Sequence, residues 1–121
     1  FSLINPILNI DILSKYCGRK KTFFKLPNDI YVNKKKICGI LQEVIINEQK
    51  KYLIVGIGIN LFSNPKIKNY PSTNIYRETK KKLKLLEIVN KIIAKYEQFF
   101  SNLNLYKFLN FKLKSKKLLL N

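Results

Sequence analysis

The sequence predicts an α+β domain in which a largely antiparallel or mixed sheet is backed by helices. Three observations lead there. Apolar, β-branched runs of strand length follow one another between residues 22 and 61, joined by short polar connections. A segment with apolar residues at three- and four-residue steps precedes them, and a longer one follows. With 121 residues and 46% hydrophobic content, the chain is long enough to bury one core.

In chain order, Ile7, Leu8, Ile12, Leu13 and Tyr16 mark one apolar face of a helix over residues 5–16. Asn5 before Pro6 fits an N-cap with proline in the first turn, and Gly18 fits a C-terminal stop. Arg19, Lys20 and Lys21 make a solvated basic connection to a short strand over residues 22–25. Pro27 ends that strand, having no N–H to donate. Asn28 and Asp29 follow, and two readings stay open for them: turn chemistry or a site at a strand end.

Residues 30–32 and 37–46 are strands flanking a hairpin turn over residues 33–36. Lysines at a hairpin tip are ordinarily solvated. Lys36 differs by opening the second strand beside Ile37-Cys38-Gly39, where it presents a point charge to a carboxylate or phosphate. Gly39 weakens a strand interior unless something approaches its backbone closely. A polar turn over residues 47–51 leads to a third strand over 52–61. There Gly56 and Gly58 lie on one face and leave room for a flat ligand. This is no dinucleotide fingerprint, because the third glycine position is Leu61. Asn60 closes the strand with an amide that both donates and accepts, or merely terminates it.

Residues 62–79, with Pro65, Pro71 and several Asn and Ser, read as a long loop of the kind that often carries function. The strongest helix is expected over 79–100, with Leu86, Val89, Ile93, Tyr96 and Phe100 as its core stripe and Lys82, Lys84, Lys91 and Lys95 outside it. A second helix is expected over 103–113, and residues 115–121 read as the start of a further element.

Composition excludes several functions. There is no His, so a His-containing zinc site, a His-based triad and a His proton shuttle are all ruled out. Cys17 and Cys38 have no C-x-x-C spacing and sit in apolar surroundings, as buried reduced thiols of a cytoplasmic protein would. The net charge of +17 points toward anionic partners. However, 22 of the 24 basic residues are Lys, not confined to one predicted element, where base and phosphate readers favour Arg. A nucleic-acid face is therefore not the leading reading. The apolar run over residues 52–59 is far shorter than the roughly 20 residues of a membrane helix. The N-terminus lacks the basic opening of a signal peptide, and a chain without Met is expected to be part of a longer protein.

K-L-P-N-D-I-Y-V from Lys25, K-K-I-C-G-I-L-Q-E from Lys35 and V-G-I-G-I-N-L from Val55, in this order and spacing, resemble the catalytic domain of biotin protein ligases. The resemblance is clear over residues 25–61. It implies the class II synthetase-like fold shared by biotin and lipoate ligases, with residues 1–121 as a partial catalytic domain. It also implies ATP-dependent ligation in two steps: biotin and ATP give biotinyl-5′-AMP, and a lysine of the biotin carboxyl carrier protein of acetyl-CoA carboxylase then takes the biotin. ATP, Mg²⁺ and biotin are the implied small molecules. Lys36 matches the lysine that contacts the activated carboxyl and phosphate. Asn28 matches a residue near the nucleotide, and Asp29 one that helps place the metal or the incoming amine. Gly39 and the backbone around Ile40 match the biotin and adenylate groove. Asn60 matches the adenine contact, with Gly56 and Gly58 giving clearance, and Lys25 an anion contact.

Two departures accompany the match. Leu26 stands where the family usually has Trp. The Gly/Arg-rich biotin loop that normally precedes this region, and the small β-barrel domain that normally follows it, are not in the sequence, so this chain alone is expected to be incomplete and inactive. Lipoate protein ligase is the near alternative, a basic nucleic-acid-binding module the distant one, and a noncatalytic remnant the third. A homodimer is left open, and no membrane contact is expected.

Overall fold

The computed structural model describes residues 3–102. Helix α1 (Ile4–Cys17) leads through a short 3-10 turn (Arg19–Lys21) into β1 (Thr22–Lys25), β2 (Asp29–Val32), β3 (Lys35–Asn47) and β4 (Lys50–Ile59), and α2 (Ile75–Thr79) and α3 (Leu85–Ser101) follow. The four strands pair in sequence order, all antiparallel, and the helices back one face. The expected α+β architecture is the one that forms.

The β2–β3 and β3–β4 hairpins each turn on two residues in the left-handed region, Asn33 and Lys34 in one and Glu48 and Gln49 in the other. Two-residue turns of this hand match the twist of antiparallel strands. The first turn is thus shorter than expected, and Lys35 and Lys36 belong to β3.

Helix α1 is more central than its pattern suggested. Every residue from Ile4 to Ser14 is buried, not one face alone, because β1, β2, α2 and α3 all pack on it. Several of its polar side chains are partnered inside, although Ser14 Oγ and Asn9 Oδ1 are buried without a hydrogen-bond partner among the described residues. Asn5 is not the N-cap: Leu3 holds that position without a side-chain bond. Instead the Asn5 amide donates to Gln42 Oε1 on β3 at 2.5 Å and accepts from Tyr96 Oη on α3 at 2.8 Å. Asn9 donates to the same Tyr96 hydroxyl at 3.1 Å. Burial pushes the Tyr96 phenol up to about 12, so it works as a neutral hydrogen-bonding hub. Asp11 meets Lys95 at 3.4 Å and Arg19 at 4.0 Å. Gly18 does end the helix, at φ 103°, with its N–H on Ser14 O at 2.8 Å.

Residues 62–79 are not all loop. Asn74 caps α2 by accepting from the Arg77 N–H at 2.8 Å, and Lys80 stops it in the left-handed conformation. Helix α3 therefore begins at Leu85 rather than near 79, and Lys82 and Lys84 precede it. Its inner stripe is also shifted: Ile88 and Phe99 are buried and Ile92 and Tyr96 pack beside them, while Leu86, Val89, Ile93 and Phe100 are largely exposed. Phe99 is drawn in by Ile4 and Leu8 of α1 and Ile88 by the main core, a choice of face that helical periodicity alone does not make. The expectations for residues 103–113 and 115–121 lie outside the described residues. Among the described residues, no helix is long and apolar enough to cross a membrane.

Candidate functional site

The core decides which face of the sheet is left for chemistry. Ile30, Ile37, Cys38 and Ile40 are buried beneath the helices with Ile7, Ile10, Leu13 and Phe24. The opposite face carries Lys25, Asp29, Tyr31, Lys36, Gly39 and Gly58, all lining one open cavity of about 600 Å³. That volume lies within the range typical of small-molecule sites, roughly 300–1,000 Å³.

A β-bulge places Lys36 there. The β2–β3 register runs Asp29 to Gly39 and Ile30 to Cys38, then jumps so that Tyr31 faces Lys36, leaving Ile37 as the extra residue. In an unbroken strand Lys36 and Gly39, three residues apart, would point to opposite faces. The bulge lets Ile37 and Cys38 both enter the core, at 0% and 1% exposure, and turns Lys36 onto the face of Gly39. The surrounding backbone is secured: Lys36 N–H donates to Pro71 O at 3.0 Å, its C=O accepts from Thr73 N–H at 2.8 Å, and Ile37 C=O accepts from Asn60 N–H at 3.0 Å.

On this face Lys36 Nζ lies 3.1 Å from Asp29 Oδ1. Asp29 is the one carboxylate among the residues lining the cavity, and Lys25 and Lys36 are its two cations. Lys25 pairs with Asp29 in register and sets its ammonium 5.6 Å from the centre of the Tyr31 ring. Gly39 and Gly58 are cross-strand partners, as are Leu41 and Gly56. A Cβ on Gly58 would meet only Gly39 O at 3.9 Å, and one on Gly56 only Leu41 O at 3.8 Å, so the protein's own packing does not require either glycine. Both leave bare sheet surface.

Six of the nine residues singled out from sequence thus line one cavity: Lys25, Asp29, Lys36, Gly39, Gly58 and Asn60. The other three do not. Gly56 lies farther along the same face, and Ile40 points into the core, with only its backbone N–H engaged, to Asn28 O at 2.8 Å. That bond uses the Asn28 carbonyl to tie the turn before β2 to β3. Asn60 donates its Nδ2 to Thr73 O at 3.0 Å, which fixes the amide's orientation and leaves Oδ1 as the atom still able to accept. Its backbone C=O takes Ile75 N–H at 3.0 Å, so Asn60 also anchors the segment leading into α2.

Sequence reasoning missed the outer wall. Pro65, Ile67, Tyr70, Pro71 and Ser72 come from the long connection and close the cavity's side, with Ser72 donating to Pro65 O at 2.7 Å. Loop length was the available signal. Tyr31 was readable too, two residues from Asp29 on a strand and hence on its face.

The cysteines supply no nucleophile. Burial pushes the Cys38 thiol up to about 12, with Asp29 adding to the rise and Lys36 opposing it. Burial, then Glu78, lifts Cys17 to about 11. Among the described residues, no group of three or more His, Cys, Asp or Glu gathers to hold a metal.

Residues 8–60 match the biotin/lipoate A/B protein ligase family. The apo structure of the biotin protein ligase from Aquifex aeolicus is similar at 27% identity and a TM-score of 0.75, over 98% of this chain and 52% of that one. The same enzyme in complex with biotin and ATP is similar at a TM-score of 0.69 over 98% and 50%. The biotin protein ligase from Leishmania major in complex with biotinyl-5-AMP shares the fold at 21% identity and a TM-score of 0.81, over 98% and 53%. The chain spans about half the length of these structures. The chain thus matches the biotin/lipoate A/B protein ligase family over residues 8–60 and shares the biotin protein ligase fold over nearly its whole length.

Proposed function

We propose that this chain forms the adenylate-binding face of a biotin protein ligase. The reaction joins the carboxylate of biotin to the α-phosphate of ATP, giving biotinyl-5′-AMP and pyrophosphate, and a lysine of a biotin carboxyl carrier protein then displaces AMP to form the amide. Two unit charges 4 Å apart repel by roughly 4 kcal/mol at an effective dielectric of 20. Bringing two anions together therefore needs a fixed cation at their junction. The observation that carries the reading is Lys36, turned by the bulge onto a glycine-cleared sheet face inside the cavity.

In this reading Lys36 neutralises the carboxylate and phosphate, with Lys25 adding charge at the cavity's edge. Gly39, Gly56 and Gly58 admit the flat ligand against the sheet, and Asn60 Oδ1 accepts from the adenine amino group. The Ile40 and Asn28 backbones hold the floor, and Asp29 orients the incoming amine. Mg²⁺ prefers one or two carboxylates together with substrate phosphates, and Asp29 as the single lining carboxylate fits an ion that arrives with the nucleotide. When bound, the ion neutralises phosphate charge. The setting is cytoplasmic, and the carrier protein is the partner.

Calorimetric titration with a nonhydrolysable biotinyl-5′-AMP analogue tests this. Saturable binding is expected, weakened about tenfold or more in Lys36→Ala, the loss of one charge-assisted contact of roughly 1.5–3 kcal/mol. No binding by the folded chain overturns it. Because the family includes lipoate ligases, the lipoyl analogue runs in parallel, and its preferential binding would move the assignment. Binding only to polyanions, with a steep salt dependence, would instead indicate a nucleic-acid module.

A further inference from the structure

We infer that Asp29 is an internal counter-anion: its carboxylate pairs with Lys36 and is exchanged for the anionic group of the ligand, so that Asp29 lowers anion affinity while fixing where the anion lands. This rests on the reading above only in requiring that the cavity take an anion.

The geometry of the pair supports exchange. The Asp29 and Lys36 side chains are 30% and 45% exposed, so the pair lies on the cavity wall rather than beneath it. It sits directly over Gly39, where an added Cβ would be 3.6 Å from Lys36 Nζ and 3.7 Å from Asp29 Oδ1. Those are ordinary contact distances, so the ion pair itself does not require the glycine, and the bare backbone beneath the pair is left for a ligand. An ion pair this open to solvent is weak and readily exchanged. Lysine suits the task, being a compact charge with three donors on a flexible stem. Only the side chain needs to move, because the Lys36 backbone is bonded on one side to Pro71 and on the other to Thr73. An anion entering between Lys25 and Lys36 meets one opposing charge, that of Asp29, and relieves it by taking over the ammonium.

Inorganic pyrophosphate, titrated calorimetrically into the full chain in EDTA, tests this without metal. Asp29→Asn is isosteric and is expected to bind pyrophosphate about two- to fivefold tighter, the strength of an exposed pair released. In a Lys36→Ala background the same substitution is expected to change affinity less than twofold. Unchanged or weaker binding by D29N overturns the inference, since a merely positioning carboxylate gives that result. Tightening that persists undiminished without Lys36 also overturns it, because bulk charge then suffices. Asp29→Ser serves as the second variant should D29N fold poorly. If the coupling appears for pyrophosphate while the biotinyl-5′-AMP analogue does not bind, the exchange stands and the ligase reading falls.

Discussion

β3 and β4 form one hairpin whose two halves live in different surroundings. At its base, Ile37, Cys38 and Ile40 are buried against α1 and β2, and the ends of both strands are tied to residues 71–75. Toward its turn, Val44, Ile45, Ile46, Tyr52 and Ile54 are all substantially exposed, although the residue types are the same. Ile37 is 0% exposed and Ile46 is 70%. The density of β-branched residues therefore marks a strand without saying what backs it. The candidate site occupies the backed half, where packing on the far face holds Lys36 and Asp29 in place, as a site needing fixed charges requires.

The largest effect should separate the halves directly. Ile37→Ala is expected to destabilise by about 2–5 kcal/mol, through lost burial and the cavity left behind, whereas Ile46→Ala should stay within about 0.5 kcal/mol. Urea denaturation of both variants measures this, and equal losses would erase the distinction. The boundary between the halves is the polar junction of Asn5, Gln42 and Tyr96. Tyr96→Phe removes the donor to the Asn5 oxygen and is expected to cost about 1–3 kcal/mol. Hydrogen exchange should rise first around Gln42 and its partner Val55, and protection lost evenly along the hairpin would move the boundary.

The smallest effect concerns the corner beside the base. Glu78 accepts from Asn33 Nδ2 at 2.6 Å and Thr73 Oγ1 at 2.5 Å, pinning α2 to the β2–β3 turn. Desolvation works to raise its carboxyl, but those hydrogen bonds, with Lys35 and Arg77, hold it below the ordinary 4.5. A depressed folded-state value contributes stability that is present above 4.5 and lost as pH falls through the folded value. Thermal unfolding across that acid range should show a modest decline that Glu78→Gln lacks, and parallel profiles would show that the pin contributes nothing.

Much of this was legible in the residues. The strands, the hairpin joining residues 30–32 to 37–46, the Gly18 stop and the placement of Gly56 and Gly58 on one face follow from short-range pattern and motif spacing. Where reading failed, a longer-range contact prevailed. Asn5 looked like a cap because Asn before Pro usually is one, yet buried partners on β3 and α3 claimed its amide. The inner stripe of α3 differs from the expected one because both Ile88 and Val89 suit an inner face, and the main core takes Ile88 while α1 takes Phe99.

By itself the sequence determined the α+β class, the antiparallel hairpins and the residue types that can neutralise an anion, because periodicity and turn chemistry act over a few residues. Only the tertiary structure decided that Ile37 bulges, that Lys36 thereby meets Asp29 above Gly39, and that residues 65–72 wall the cavity. Each of these depends on which side chains the core admits, and a core is assembled from residues far apart in the chain.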